Sequence, residues 1–217
     1  MGHYKKGIET KNKILSVAKK LFYEKGFKET TIADIANTAD VPVGLVNYYY
    51  KKNDLLGDAF HQFILKIYTE IETQVGNHIE NQIQRQLIFY RLYYGSIFNN
   101  ENLLKLYRLY ITKDYILEET QEILQNNIYE NIMELSLDID HAVLQRLLVV
   151  EYGTRKQLVN DTSSLWDQQA PYQMSDFVST LSARLTGASL AVIEKNIHKI
   201  DSLMKRIRFT ADDFINT

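Results

Sequence analysis

Between Val43 and Lys52 the chain gathers side chains suited to reading and gripping a polyanion. Asn47 carries a carboxamide, which can meet an adenine edge through a donor and an acceptor at once. Val43 and Leu45 offer only apolar contact, of the kind a thymine methyl takes. Gly44 has no Cβ, so the backbone there can come close to a base edge or a phosphate. Tyr48, Tyr49 and Tyr50 supply hydroxyl donors to phosphate oxygens, and Lys51 and Lys52 supply charge. Thr31 lies upstream, and Lys5 and Lys6 form a basic arm from Met1 to Ile8 that can reach further phosphates. All of this is recognition chemistry and none of it breaks bonds.

Catalysis needs a constellation, and none is present. The sequence contains no G-x-S-x-G, H-E-x-x-H, P-loop or G-x-G-x-x-G. Asp58-x-x-His61 and Asp138-x-x-His141 each put a carboxylate and an imidazole on one helix face. Helical di-iron proteins use Glu-x-x-His twice with further glutamates, so aspartate is the wrong residue here. Asp138 and Asp140 fit helix caps better. A metal-dependent bundle oxidase is therefore weighed and set aside, and neither enzyme activity, metal nor cofactor is expected. The absence of cysteine removes disulfides and thiolate metal sites.

The elements that position the recognition residues follow from local spacing. Thr31 stands three residues before Asp34, ahead of Ile32, Ile35, Ala36 and Ala39 at helical intervals, which is close to a capping box. Asp40-Val41-Pro42 breaks that helix, since Asp tolerates a left-handed turn and Pro42 suits the first position of a new one. A second short helix from Pro42 to about Tyr49 follows. Two short helices across a tight turn form a helix-turn-helix, whose second helix lies in the DNA major groove. Upstream, Ile14, Leu15, Ala18, Leu21 and Phe22 mark a helix from Thr10 to Lys25, ended by Gly26, with Phe27 packing back beneath it.

Charge is distributed accordingly. Residues 1–60 carry ten lysines against seven acids, a net +3, while the remainder carries −5. A basic head on an acidic body fits a nucleic-acid-binding end joined to a part that does not bind it. A purely structural helical adaptor would show no DNA affinity and no salt dependence.

The run TTIADIANTADVPVGLVNYYYKKNDLL, Thr30 to Leu56, resembles the DNA-binding signature of the tetracycline-repressor (TetR) family. That signature has paired threonines, I-A-x-x-A-G-V, then S-x-G-x-x-Y-x-x-F-x-x-K-x-x-L. Thr30, Thr31, Ile35, Ala36, Ala39, Val41, Gly44 and Leu56 agree with it. Asp40 stands where glycine is usual, Pro42 where serine is, Asn47 where tyrosine is, Tyr50 where phenylalanine is and Asn53 where lysine is. The resemblance implies an all-α protein: a three-helix head, residues 1–52, joined by a long helix to an effector-binding and dimerisation domain, residues 53–217. It also implies a ligand-released homodimeric repressor acting on double-stranded DNA. A dimer has a physical reason besides, since one short helix binds weakly and two held about 34–36 Å apart read a palindrome.

Downstream, a stripe from Leu55 to Val75 marks the connecting helix, ending at Gly76. Further helices are expected over 79–99, 103–111, 118–137 and 140–159, the last capped by Asp140, before a polar interruption, Asp161 to Pro171, that holds the only tryptophan, Trp166. A long segment from Ser175 to about Phe209 closes the chain. Its small residues from Leu185 to Ala191, with Val143 to Val159, are expected to form the dimer bundle that the resemblance implies. Aromatic residues crowd the body, and a mostly apolar cavity with a few tyrosine hydroxyls suits a small molecule. The resemblance places such a pocket beside the connecting helix, making Phe63, Ile67, Tyr94, Phe98, Tyr107 and Tyr110 the expected effector contacts and a small, largely apolar or aromatic molecule the expected effector. No signal peptide or membrane span is apparent, so a cytoplasmic protein is expected.

Overall fold

Only helices occur among the described residues, which in this computed structural model are 2–135, 139–160 and 172–216. The first is α1, Gly2–Lys25, which begins eight residues before the expected start at Thr10, so the expected arm is a helical extension of α1. Gly26 ends it with φ 98°, a left-handed conformation that glycine adopts without steric cost. Phe27 then folds back on Phe22, ring centroids 4.9 Å apart.

The two threonines that follow do different work. Thr30 is buried and its hydroxyl donates to the Gly26 carbonyl at 2.7 Å, tying the turn together. Thr31 caps α2, Ile32–Thr38: its Oγ1 accepts from the Asp34 amide at 3.0 Å, and Asp34 accepts from the Thr31 amide at 2.8 Å. Lys25 pairs with Asp34 at 3.0 Å. These bonds from Thr31 and Lys25 hold the Asp34 carboxyl down at about 2.

The turn after α2 closes as its residues demand. Asp40 takes φ 51°, and the Val41 amide donates back to the Ala36 carbonyl at 3.0 Å. Pro42 is the N-cap of α3, Val43–Tyr49. Ile14, Leu15, Ala18 and Phe22 from α1, Ile35 and Ala36 from α2 with its C-cap Ala39, and Val46 from α3 form the small buried core of the head.

The long helix α4 spans Lys52–Val75 and is followed by a 3-10 turn, Gly76–His78. Then come α5, Gln82–Phe98, α6, Glu101–Thr112, α7, Glu118–Glu134, and α8, His141–Asn160. Asp140 caps α8, accepting from the Val143 amide at 2.8 Å. The expected end of α7 at Leu137, Asp138 and the 161–171 segment with Trp166 lie outside the described residues.

The expected long C-terminal segment is three helices: α9, Gln173–Ser179, α10, Leu181–Leu185, and α11, Leu190–Met204. Ser175 is not the cap. It lies inside α9, its hydroxyl donating to the Tyr172 carbonyl at 2.9 Å. Nor are Leu185 to Ala191 a helical stripe, because Gly187 at φ 87° terminates α10 and the Ala188 amide returns to the Ala183 carbonyl at 2.9 Å. A last 3-10 turn, Ala211–Phe214, follows.

The chain forms two compact units. The first comprises residues 1–66, 97–117 and 211–217, and the second 67–96 and 118–210. In the first, Asn100 caps α6 and its amide reaches the Tyr23 hydroxyl at 2.6 Å. Phe60 stacks on Tyr110 at 4.4 Å, with Tyr107 and Phe214 beside it at 5.7 and 5.2 Å. Gly57 admits the 113–117 loop, since a Cβ there would stand 2.7 Å from the Tyr115 carbonyl oxygen. In the second, buried Arg91 on α5 clamps Asp176 of α9 at 2.7 and 2.8 Å and Asp201 of α11 at 2.6 Å.

Candidate nucleic-acid interface

A capped α2 and a Schellman turn leave α3 only one orientation against the head's core. Val46 is its buried residue, so the residues on either side must point outward. Val43, Gly44, Asn47 and Tyr48 are exposed, Tyr48 by 79%. A Cβ built on Gly44 meets nothing within 4 Å, so no neighbour within the protein requires glycine there. That is a surface poised for an outside partner.

The remaining expected contacts divide. Leu45 is half-buried and shares its apolar side with the head. Tyr49 is also half-buried, packed edge-on to Tyr48 at 5.1 Å. Tyr50 does not offer its hydroxyl to phosphate: it is buried, bonded to Asp58, and both burial and that carboxylate push its phenol up. Lys51 is exposed. Lys52 is half-buried with its ammonium 4.4 Å over the Phe27 ring, and burial lowers its pKa. Thr31 uses its oxygen to accept from Asp34, which leaves its O–H able to donate outward.

Lys5 and Lys6 are exposed on the first turns of α1. Those turns run beside α3, because a Cβ at Gly7 would lie 3.3 Å from the Tyr49 hydroxyl oxygen. Lys11, not among the expected contacts, lies on the same stretch with its ammonium 5.2 Å over the Tyr50 ring. The only hint in the sequence is that the basic run of Lys5 and Lys6 continues through Lys11 and Lys13. Lys19 leaves the set of surface charges altogether, because it is fully buried.

The six expected effector residues are all buried or half-buried. Phe63, Phe98, Tyr107 and Tyr110 lie in the first unit, and Ile67 and Tyr94 in the second. In the first unit Phe214 takes the place beside Phe60 and Phe63, at 5.2 and 5.5 Å. A cleft of about 380 Å³ in that unit is lined by Asn12, Gln62, Leu65, Lys66 and Asn216, and by none of the six. Among the described residues no group of three or more His, Cys, Asp or Glu could hold a metal, and no helix is long and apolar enough to cross a membrane. Of the two Asp-x-x-His pairs, Asp58 is engaged by Tyr50, and Asp138 and the side chain of His141 lie outside the described residues.

Residues 14–58 match the family model for bacterial regulatory proteins of the tetR family. A probable HTH-type transcriptional regulator, YttP, of Bacillus subtilis (strain 168) is 29% identical over 164 residues, covering 67% of this chain and 78% of the relative. A TetR-family transcriptional regulator from Bordetella parapertussis 12822 superposes with a TM-score of 0.47 at 13% identity, over 83% of this chain and 96% of that one. A gamma-butyrolactone receptor (ArpA-like protein) superposes with a TM-score of 0.45 at 12% identity, over 92% and 98%.

Proposed function

We propose that the chain is a DNA-binding transcriptional regulator of the tetR family, and that it acts as a homodimeric repressor released from a palindromic operator by a small molecule. The observation that carries this reading is the outward face of α3, where Val43, Gly44, Asn47 and Tyr48 stand exposed and Gly44 has open space over it. Val43, Gly44 and Asn47 face the bases, with the exposed side of Leu45 beside them. Thr31, Tyr48, Tyr49, Lys51 and Lys52 hold the phosphates and set the register, and Lys5 and Lys6 extend the grip. The functional division falls after residue 52, with effector binding and dimerisation in residues 53–217.

A second copy of the chain is the partner that suits α8. Val149 is 72% exposed there, and Gly153, one turn on, has nothing within 4 Å of its Cβ position. Exposed Leu185, Leu190 and Val192 add apolar surface from α10 and α11. Two heads held about one helical turn of DNA apart multiply the weak affinity of one. The effector acts by preferring a dimer whose heads no longer match successive major grooves, and it shifts the equilibrium only by that preference. The family is one of regulators and not of enzymes, and we assign the chain no catalytic role and place it in the cytoplasm with the DNA.

The test is binding of the purified protein to the promoter fragment next to its own gene, at two salt concentrations, with random-site selection alongside. Tight, salt-sensitive, sequence-selective binding by a dimer is the expected result. Binding that stays absent or indifferent to sequence through the selection would overturn the repressor reading.

A further inference from the structure

Only Tyr50 and Lys51 separate α3 from α4, and two carboxylates of α4 engage them. The Lys51 amide donates to Asp54 Oδ2 at 3.3 Å. Asp58, one turn further along α4 and on the same face, accepts a hydrogen bond from the Tyr50 hydroxyl. Tyr50 is also the C-cap of α3, its backbone extended at φ −147° and its amide donating to the Val46 carbonyl at 2.9 Å. Its ring is buried, with the Lys11 ammonium of α1 5.2 Å over it. One residue therefore ends α3 with its backbone and meets α1 and α4 with its side chain.

α3 has few other anchors. At seven residues it is too short to hold its own conformation in water. No side chain caps its N-terminus, and Val46 is its one buried residue. A single buried residue fixes a point about which a short helix can still turn, and a second anchor at the C-terminal end fixes the angle. Base readout depends on that angle, since recognition groups must be held to within about 10–20° by locked neighbours. A phenol bonded to a carboxylate is a short, directional link of this kind. The phenylalanine usual at this place in the signature would fill the same space but could not bond Asp58.

We infer that Tyr50 is a positioning residue for sequence recognition: its hydroxyl, held by Asp58, locks α3 to α4 at the angle that presents Val43, Gly44 and Asn47 to the bases. The inference rests on the regulator reading proposed above and adds to it a residue that sets specificity without touching DNA. Because Tyr50 faces inward and Lys5, Lys6 and Lys51 remain exposed, loss of its hydroxyl blurs sequence preference and leaves the grip on phosphate intact.

The probes are a duplex selected from random sequence by the wild-type protein and an unrelated duplex of equal length. Tyr50→Phe keeps the ring and loses only the hydroxyl. It is expected to bind the selected duplex at least about tenfold more weakly, the scale of one hydrogen bond to a charged group, and the unrelated duplex as the wild type does. Its log–log salt slope is expected to stay unchanged, because no phosphate contact is lost. Asp58→Leu is expected to give the same loss, and the double variant no more than either single one. Asp58→Asn, which keeps an oxygen able to accept from the phenol, is expected to restore the selectivity that Asp58→Leu loses. Wild-type selectivity in Tyr50→Phe overturns the inference, as do additive losses in the double variant. So does an equal loss on both duplexes, which marks general damage to the head, or an Asp58→Asn protein as unselective as Asp58→Leu. A wild-type protein that selects no sequence at all fails the regulator reading itself, so the two failures are distinct.

Discussion

Lys19 Nζ donates to Gln62 Oε1 at 3.1 Å, and the lysine that makes this bond is fully buried between α1 and α4. One of the ten lysines that make the N-terminal part basic therefore faces inward, where it joins the head to the long helix instead of meeting phosphate. Burial lowers its pKa to about 8.

That burial sets a pH dependence with a definite sign. The unfolded chain holds the Lys19 proton up to its ordinary value of 10.5, while the folded chain releases it near 8. Between those limits the unfolded state binds more protons, so stability rises with pH. Denaturant unfolding should show a gain on the order of 1–3 kcal/mol from about pH 8 towards pH 10, absent in Lys19→Met. Above pH 10 the sign reverses, because buried Tyr90, Tyr68 and Tyr50 hold their phenol protons past the point where the unfolded chain loses them. A flat profile from pH 8 to 10 in the wild type would contradict the buried-lysine account.

Gly44→Ala separates stability from recognition. Alanine favours a helix over glycine by roughly 0.5–1 kcal/mol, and no neighbour blocks a methyl group there. The variant should therefore unfold at a slightly higher temperature while binding DNA at least about tenfold more weakly, the methyl keeping the backbone from the groove. Unchanged affinity would place the DNA elsewhere.

The Thr31–Asp34 cap is a second pivot. Thr31→Ala should lower stability by about 1 kcal/mol, and Thr31→Ser should restore most of it. The Asp34 carboxyl is depressed from 3.8 to about 2, so its contribution is complete above pH 3.8 and is lost as pH falls towards 2. The acid limb of the wild-type stability curve should therefore flatten in Asp34→Asn, as read by circular dichroism, whereas Thr31→Ala keeps the backbone amide that bonds the carboxylate.

Asn47→Ala and Lys51→Ala should fail in different ways. Loss of a bidentate base contact costs about 1–3 kcal/mol at one base pair and relaxes preference there. Loss of a phosphate contact weakens all sequences alike and reduces the log–log salt slope by about 0.9. Selection from a randomised operator, followed by titration at several salt concentrations, distinguishes them. An Asn47→Ala protein with the wild-type preference would remove that residue from base readout.

Phe214→Ala probes the aromatic cluster of the first unit. Phe214 is fully buried against Phe60 and Phe63, so truncation should cost about 3–5 kcal/mol. A loss below about 1 kcal/mol in thermal unfolding would show the C-terminal turn to be dispensable.

Local signals in the head were legible because they act over a few residues. The Thr31 cap, the left-handed Asp40, the Pro42 entry and the Gly26 stop each follow from a backbone requirement that one residue type meets. Which side of α3 packs was not legible in this way, and the structure shows it to be the side of Val46. The breaks at Thr180 and Gly187 were harder to read. Ser, Thr and Gly occur inside helices as well as at their ends, and only the Ala188–Ala183 bond shows that Gly187 terminates one.

What the sequence determined by itself was the family of the head, the helical class and the set of exposed groups on α3, all carried by contacts close along the chain. Tertiary structure decided which partners the side chains outside α3 meet. It turned Tyr50 inward to Asp58, buried Lys19 against Gln62, laid Lys52 over Phe27 and brought Phe214 to Phe60. It also brought Tyr90 to Arg155 across 65 residues of chain. Hydropathy and spacing report which face of a helix is apolar, whereas the partner that a polar group finds on another helix depends on how the helices pack. No periodicity within either segment encodes that meeting.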